Sequence, residues 1–192
     1  MASKSFNELC NLHGTDKGDQ VREKHCYSFT YEKLFSPLRE KKLNILEIGI
    51  ADPLFPGASL KVLSDYFLNA NILGFDIVNC DHFKIDRVKT LKGDTSSKED
   101  ILKILDVQKE FDIIIDDGSH VHDHHLNCFY NLFSALKKGG LYIIEDLQAP
   151  TSEKTLAYFF SDVNKNILKN CGVKKVELYN YNRLMVIYNE KA

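Results

Sequence analysis

The chain has 192 residues, 44% of them hydrophobic and 27% charged, with a formal net charge of -2. That length suits one domain with a full core, and that balance gives no electrostatic case for nucleic acid or an anionic membrane as partner. No apolar run approaches the ~20 residues needed to span a bilayer. The opening MASKSFNELC lacks the apolar core and cleavage pattern of a signal peptide. Five cysteines (Cys10, Cys26, Cys80, Cys128, Cys171), odd in number and without C-x-x-C spacing, predict neither a disulfide framework nor a zinc ribbon. A reduced, cytoplasmic protein is expected.

In chain order, His13-Gly14-Thr15-Asp16-Lys17-Gly18 is polar and turn-prone, and reads as a simple connection. Tyr27, Tyr31, Leu34 and Phe35 recur at helical spacing and predict an amphipathic helix ended near Ser36-Pro37. Residues 1–40 are thus an N-terminal helical or lid segment of one domain spanning residues 1–192. Leu43 to Ile50 reads as a buried strand entering a loop. Ser59 to Leu68 is helical, with Leu60, Leu63 and Phe67 on one face, and Ile72 to Ile77 is a second strand. Val88 to Lys92 is a short strand before Gly93-Asp94, and Ser97 caps a helix reaching Val107. A strand from Phe111, a helix closed by Lys137-Lys138-Gly139-Gly140, and a strand over Leu141 to Ile144 follow. Ser152 to Lys169 predicts one more helix. Val173 to Tyr179 and Arg183 to Tyr188 are strands joined by Asn180-Tyr181-Asn182, too little chain for a parallel crossover.

Alternating strands and helices predict an α/β fold. The expected form is a doubly wound, mostly parallel seven-stranded sheet, Rossmann-like, with a terminal antiparallel strand. Such sheets bind ligands beyond the carboxyl ends of their strands. This chain concentrates its acids there.

The first strand runs out at Glu47-Ile48-Gly49, where a glycine lets a ligand approach the backbone. The loop is not G-x-G-x-x-G, and alone it is as readily a structural turn. Asp76, at the end of the second strand, offers two acceptors to a ribose diol. Asp94 is placed to meet an adenine amino group, or to cap the following turn. Isoleucines 113–115 end in Asp116-Asp117-Gly118-Ser119-His120, and Leu141 to Ile144 ends in Glu145-Asp146. Four carboxylates at two neighbouring strand ends repel unless a cation lies between them. A hard divalent ion such as Mg²⁺ suits them. Asp117, Glu145 and Asp146 are the expected ligands, with Asp116 turned toward the cofactor. His120 is placed as a general base. His122, His124 and His125 lie on differing faces of the next helix, so a histidine-only zinc site is set aside.

These segments together resemble a known family. LEIGIADPLFPGASLKVLSDYF, ILGFDI, GDTSS, IIIDDGSHVHDHH and GGLYIIEDL are similar to the metal-dependent O-methyltransferases of macrolide sugars, of the mycinamicin and macrocin type. HGTDKG with His25, Tyr27 and Tyr31 resembles that group's leader segment. The resemblance spans residues 13–147 and implies a class I S-adenosylmethionine-dependent O-methyltransferase acting on a sugar hydroxyl. It implies Asp117, Glu145 and Asp146 as magnesium ligands and His120 as general base. It also implies that Gly49, Asp76 and Asp94 hold S-adenosylmethionine, with Glu47 and Asp116 near its methionine end. Ile50-Ala51 stands where paired glycines are usual. The expected partner is a small sugar or glycoside, and a homo-oligomer is compatible with so short a chain. The alternative is a non-catalytic module of the same fold that binds an adenosine ligand.

Overall fold

The computed structural model describes residues 4–20, 25–52, 54, 56–147 and 153–190. Its strands are β1 (Asn44–Ile48), β2 (Asn71–Asp76), β3 (Val88–Lys92), β4 (Phe111–Asp116), β5 (Leu136–Ile144), β6 (Val173–Tyr179) and β7 (Leu184–Asn189). They form one sheet in the order β3-β2-β1-β4-β5-β7-β6. β1 to β5 pair in parallel, and β7 is antiparallel to both β5 and β6. The expected terminal antiparallel strand is therefore β7. Its tight connection to β6 takes positive φ at Asn180, Tyr181 and Asn182.

The helices are α1 (Phe6–His13), α2 (Ser28–Phe35), α3 (Ala58–Tyr66), α4 (Lys98–Val107), α5 (His122–Leu132), α6 (Glu153–Phe160) and α7 (Lys165–Cys171). Among the described residues no helix is long and apolar enough to cross a membrane. Ser97 caps α4 as expected, its side chain accepting from the Asp100 amide. α1 was not anticipated. Its signal is Ser5-x-x-Glu8, a capping box in which the Ser5 side chain accepts from the Glu8 amide and Glu8 accepts from the Ser5 amide.

Two expected boundaries differ. β5 begins at Leu136, so Lys137 to Gly140 lie inside it, where the register with β4 shifts between Phe111 and Ile113. Left-handed Gly139 accommodates that irregularity. The single helix read over Ser152 to Lys169 is two, α6 and α7. The Asn164 side chain donates to the Tyr158 carbonyl at the break, and Ser152 lies outside the described residues.

Strand alternation sorts the core into two faces. Ile45, Ile113, Ile115, Leu141 and Ile143 pack with Phe6, Tyr27, Tyr31, Phe35 and Leu60, from α1 to α3 and the turn before α2. Leu46, Ile48, Ile114, Tyr142 and Ile144 pack on the opposite face with Ile101, Ile104, Phe129 and Phe159 from α4, α5 and α6. Truncating one fully buried residue such as Ile114 to Ala would cost ~2–5 kcal/mol. The same period of two assigns each acid at the strand ends to a face.

Candidate active site

The strand order reverses between β1 and β4, which is where an open α/β sheet leaves a crevice at its carboxyl edge. Register brings the edge into line: Ile48 stands opposite both Phe75 and Asp116, and Asp116 stands opposite Ile144. The ladder continues one residue further, with Gly49 N donating to Phe75 O, Asp117 N to Ile48 O and Glu145 N to Asp116 O. Gly49, Asp76, Asp117 and Glu145 therefore meet at one edge.

Gly49 has φ +85, and a Cβ there would lie 1.9 Å from the Asp117 carbonyl oxygen. Only glycine fits. The amides of Ile50 and Ala51 donate to one Asp76 oxygen, at 2.7 and 2.9 Å, and Val78 N donates to the other at 2.8 Å. Asp76 thus shapes the loop, and while Oδ2 accepts twice, Oδ1 accepts once and keeps a lone pair for a further donor.

Two cavities open here and share Gly49, Asp76 and Gly118 in their walls. One, of about 280 Å³, reaches Thr15, Lys17, Asp117, His120 and Asp146. The other, of about 290 Å³, lies between Phe75, Ile77, Asp94 and His124. A carboxylate-ringed chamber adjoining a more apolar one suits a ligand with a polar end and a flat aromatic end. Asp94 does both things considered for it: it lines the second cavity, and its carboxylate accepts from the Ser96 amide in a capping turn.

At the far wall of the first cavity, Asp117, His120 and Asp146 present ligand atoms all within 4.8 Å of one another. Two carboxylates and an imidazole at that spacing fit a divalent cation. His120 and Asp146 both hold left-handed backbone with φ 56. Non-glycine residues adopt that region rarely, and it turns these two side chains back over the strand ends. Asp146 is held from behind, its Oδ1 accepting from Tyr27 Oη at 2.6 Å and lying 3.0 Å from His25 Nδ1. Burial would raise the Asp146 pKa, but the contacts with His25 and Tyr27 outweigh it and hold the carboxyl well below its usual range.

A further cation comes from the chain itself. Lys17 Nζ lies 2.6 Å from Asp117 Oδ2 and 2.8 Å from Glu145 Oε2. Tyr31 Oη donates to the other Glu145 oxygen. Burial opposes charge at all three groups. It pushes both carboxyls up, while Lys17 is held well above its usual value because Asp117 and then Glu145 outweigh its burial. Read as charge states those directions conflict. The two short contacts decide for a charged Lys17 facing at least one ionised carboxylate.

No protein-family model matches the chain. By sequence it is 37% identical over 143 residues to the 8-demethyl-8-alpha-L-rhamnosyl tetracenomycin-C 2'-O-methyltransferase of Streptomyces olivaceus, a match covering 73% of this chain and 37% of that protein. It is 34% identical over 149 residues to the demethylmacrocin O-methyltransferase of Streptomyces fradiae, covering 76% and 37%. By structure it matches the MycE methyltransferase of the mycinamycin pathway, solved with Mg, SAH and mycinamycin VI. The TM-score is 0.84 at 25% identity, covering 98% of this chain and 55% of that one. This is a class I methyltransferase fold, related by sequence to sugar O-methyltransferases. The chain spans little more than a third of the length of these two curated relatives.

Within the methyltransferase fold the anticipated residues divide. Gly49, Asp76, Asp94, Asp117, His120 and Asp146 line the two cavities. Asp116 does not, which corrects its expected turn toward the cofactor. It shares the face of Ile114, is 2% exposed, and meets Tyr142 Oη and His125 Nδ1, each at 3.3 Å. Glu47 is fully buried on the opposite face and accepts from Ser59 Oγ at 3.0 Å. It lies behind the cavity wall, with its carboxyl pushed up to about 7 by burial. Glu145 is also behind that wall, 1% exposed and apart from the Asp117–His120–Asp146 group. His124 lines the second cavity and pairs with Ser119 Oγ at 2.7 Å.

Sequence reasoning missed Lys17, His25, Tyr27 and Tyr31 as site residues. The tyrosines were read as part of a helical apolar stripe, and Tyr31 lies in α2 while Tyr27 stands in the turn before it. Their hydroxyls, needing partners when buried, were the unused signal.

Proposed function

We propose that the protein transfers a methyl group from S-adenosylmethionine to a hydroxyl of a sugar or sugar-containing small molecule, with a divalent metal ion and His120 assisting. The observation that carries this reading is the group Asp117, His120 and Asp146 in the wall of a cavity that also holds Gly49 and Asp76. The O-methyltransferase activities of the two relatives, one on a rhamnosyl tetracenomycin and one on demethylmacrocin, support the same class.

Gly49, which lets a ligand approach the backbone, would face the methionine part of the cofactor, Asp76 Oδ1 would accept from a ribose hydroxyl, and Asp94 with His124 would meet the adenine. When bound, S-adenosylmethionine supplies an already activated methyl group, and Mg²⁺ supplies positive charge that lowers the pKa of a coordinated hydroxyl. Asp117 and Asp146 would hold the ion. His120 would accept the hydroxyl proton at Nε2, and the nearby Asp146 carboxylate would favour the resulting imidazolium. The protein's main contribution would be orientation, because the sulfonium needs no further activation.

Titration calorimetry with S-adenosylhomocysteine, with and without Mg²⁺, tests the reading. Binding of the nucleoside strengthened by an acceptor glycoside supports it. No binding of S-adenosylhomocysteine in either condition rules it out.

A further inference from the structure

We propose that the β6–β7 hairpin is an acceptor-binding platform, on which Tyr181 stacks against a sugar ring and Arg183 pairs with an anionic group attached to that sugar. The acceptor is then an acidic sugar, bearing a phosphate ester or a carboxylate, rather than a neutral glycoside. This rests on the methyltransferase reading above and narrows its substrate class.

The hairpin stands beside the acid-rich edge. Leu147 N, one residue beyond Asp146, donates to Arg183 O at 3.0 Å, so the start of β7 lies level with the end of β5. Adjacent strands lie about 4.8 Å apart, which puts Arg183 within the span of one sugar and its substituent from Asp146. The tip is fixed in place. Asn180 Oδ1 accepts from Thr30 Oγ1 of α2 at 2.7 Å, and its Nδ2 donates to Cys26 O at 2.9 Å. The same N-terminal segment supplies His25 and Tyr27, which hold Asp146 from behind.

Two side chains of this hairpin have no task in the fold. Tyr181 is fully exposed, and among the described residues its side chain makes no hydrogen bond or ring contact. Left-handed backbone at Asn180, Tyr181 and Asn182, with φ 51, 56 and 67, presents it. Asparagine tolerates that region, whereas a bulky aromatic residue seldom enters it outside functional loops. An exposed ring on an anchored turn is a surface for the apolar face of a sugar.

Arg183 is half-buried, its Nε is shut off from solvent without a hydrogen-bond partner, and among the described residues no carboxylate pairs with its guanidinium. Its charge is nonetheless felt at His25 and Tyr27, the two residues that contact Asp146. Acids crowd the neighbouring cavity wall at Asp16, Asp117 and Asp146, yet the arginine is committed to none of them. An anion brought to that edge needs fixed positive charge to meet it. The planar fork of a guanidinium matches two oxygens of a phosphate or a carboxylate.

The test measures methyl transfer by the wild type, R183Q, R183K, Y181A and Y181F, each with a thermal melt and calorimetry against S-adenosylhomocysteine. Several hexoses and deoxyhexoses are offered as the methyl glycoside, the 1-phosphate and the nucleoside diphosphate ester, with methyl uronosides as the carboxylate arm. The wild type should favour a charged acceptor over its neutral counterpart by ~10-fold or more in kcat/KM, and the arm that responds identifies phosphate or carboxylate. R183Q should raise KM for the charged acceptor by ~10- to 100-fold, the scale of a charge-assisted contact, with kcat and the neutral acceptor little changed. R183K should recover part of the loss. Y181A should raise KM for charged and neutral acceptors alike, and Y181F for neither. No variant should change the affinity for S-adenosylhomocysteine. Neutral acceptors used as well as charged ones, R183Q impairing both alike, or Y181A with wild-type KM would each overturn the proposal and leave the methyltransferase reading standing. Transfer to no acceptor overturns it too, and S-adenosylhomocysteine binding by the wild type then shows whether the methyltransferase reading falls with it. If R183Q does not melt cooperatively, the wild-type preference between paired acceptors decides alone.

Discussion

His120 Nε2 stands 3.9 Å from Asp146 Oδ2, and both residues hold left-handed backbone at the ends of adjacent strand-to-loop turns. The imidazole faces the cavity with a carboxylate at its flank. That arrangement suits the role proposed for His120, accepting a proton and keeping the resulting charge.

His120→Ala should lower turnover by ~10²- to 10⁴-fold, the usual worth of a positioned base. The affinity for S-adenosylhomocysteine should stay within a few-fold of wild type, since the nucleoside contacts proposed above are with Gly49, Asp76 and Asp94. Steady-state assays paired with calorimetry read both. Undiminished turnover in the variant would remove His120 from the mechanism.

Gly49→Ala should cost both stability and cofactor binding. The added Cβ meets the Asp117 carbonyl oxygen at 1.9 Å and sits at φ +85, so strain of ~1–3 kcal/mol adds to displacement of Asp117. Gly139→Ala is the control. It also has positive φ, at +78, but nothing lies within 4 Å of its Cβ. Denaturant unfolding should show the larger loss at Gly49, and equal losses would mean that the close approach at Gly49 carries no weight.

Asp76→Asn should weaken S-adenosylhomocysteine binding by ~10- to 100-fold. The substitution puts an amide NH₂ or a neutral oxygen opposite the Ile50 and Ala51 N–H groups, which now share one carboxylate oxygen. Calorimetry at fixed salt measures the change. Unaltered affinity would show that Asp76 serves the loop alone.

Glu47 gives stability a pH dependence of a definite sign. Burial pushes its carboxyl up from 4.5 to about 7. The folded protein then keeps a proton that the unfolded chain has released, so stability falls as pH rises through that interval and levels off above it. Glu47→Gln removes the slope. Its stability relative to wild type should improve between pH 5 and pH 8 by on the order of 1–3 kcal/mol. Asp146 acts with the opposite sign: its depressed pKa contributes stability lost only as pH falls below the ordinary carboxylate range, outside this window. His25, raised because Asp146 outweighs its burial, contributes stability that fades as pH rises through its folded value. Both terms are common to the two proteins and cancel. An equal difference at pH 5 and pH 8 would contradict the assignment to Glu47.

The strands and the acids that close them were legible because period-two burial and strand-end carboxylates are local signals. Asp117, Asp146 and His120, which line the first cavity, were singled out on those signals. Alternation also held the answer for Asp116, which shares the face of Ile114, but the sequence alone did not say which face opens on the cavity. Lys17 was out of reach for a different reason. Its partners lie 100 and 128 residues away, and a lysine in a Gly-Thr-Asp-Lys-Gly turn reads as solvated until α1 and α2 are seen to fold over the strand ends. The divided helix after residue 153 was missed because its break rests on a local capping contact of Asn164 rather than on glycine or proline.

The most direct measurement is label transfer from methyl-labelled S-adenosylmethionine to a panel of deoxysugar glycosides and sugar nucleotides, in Mg²⁺ and in excess chelator. The account predicts labelled product with Mg²⁺ for at least one acceptor, and its loss in chelator with recovery when Mg²⁺ is restored. Transfer that proceeds at full rate in chelator would contradict it.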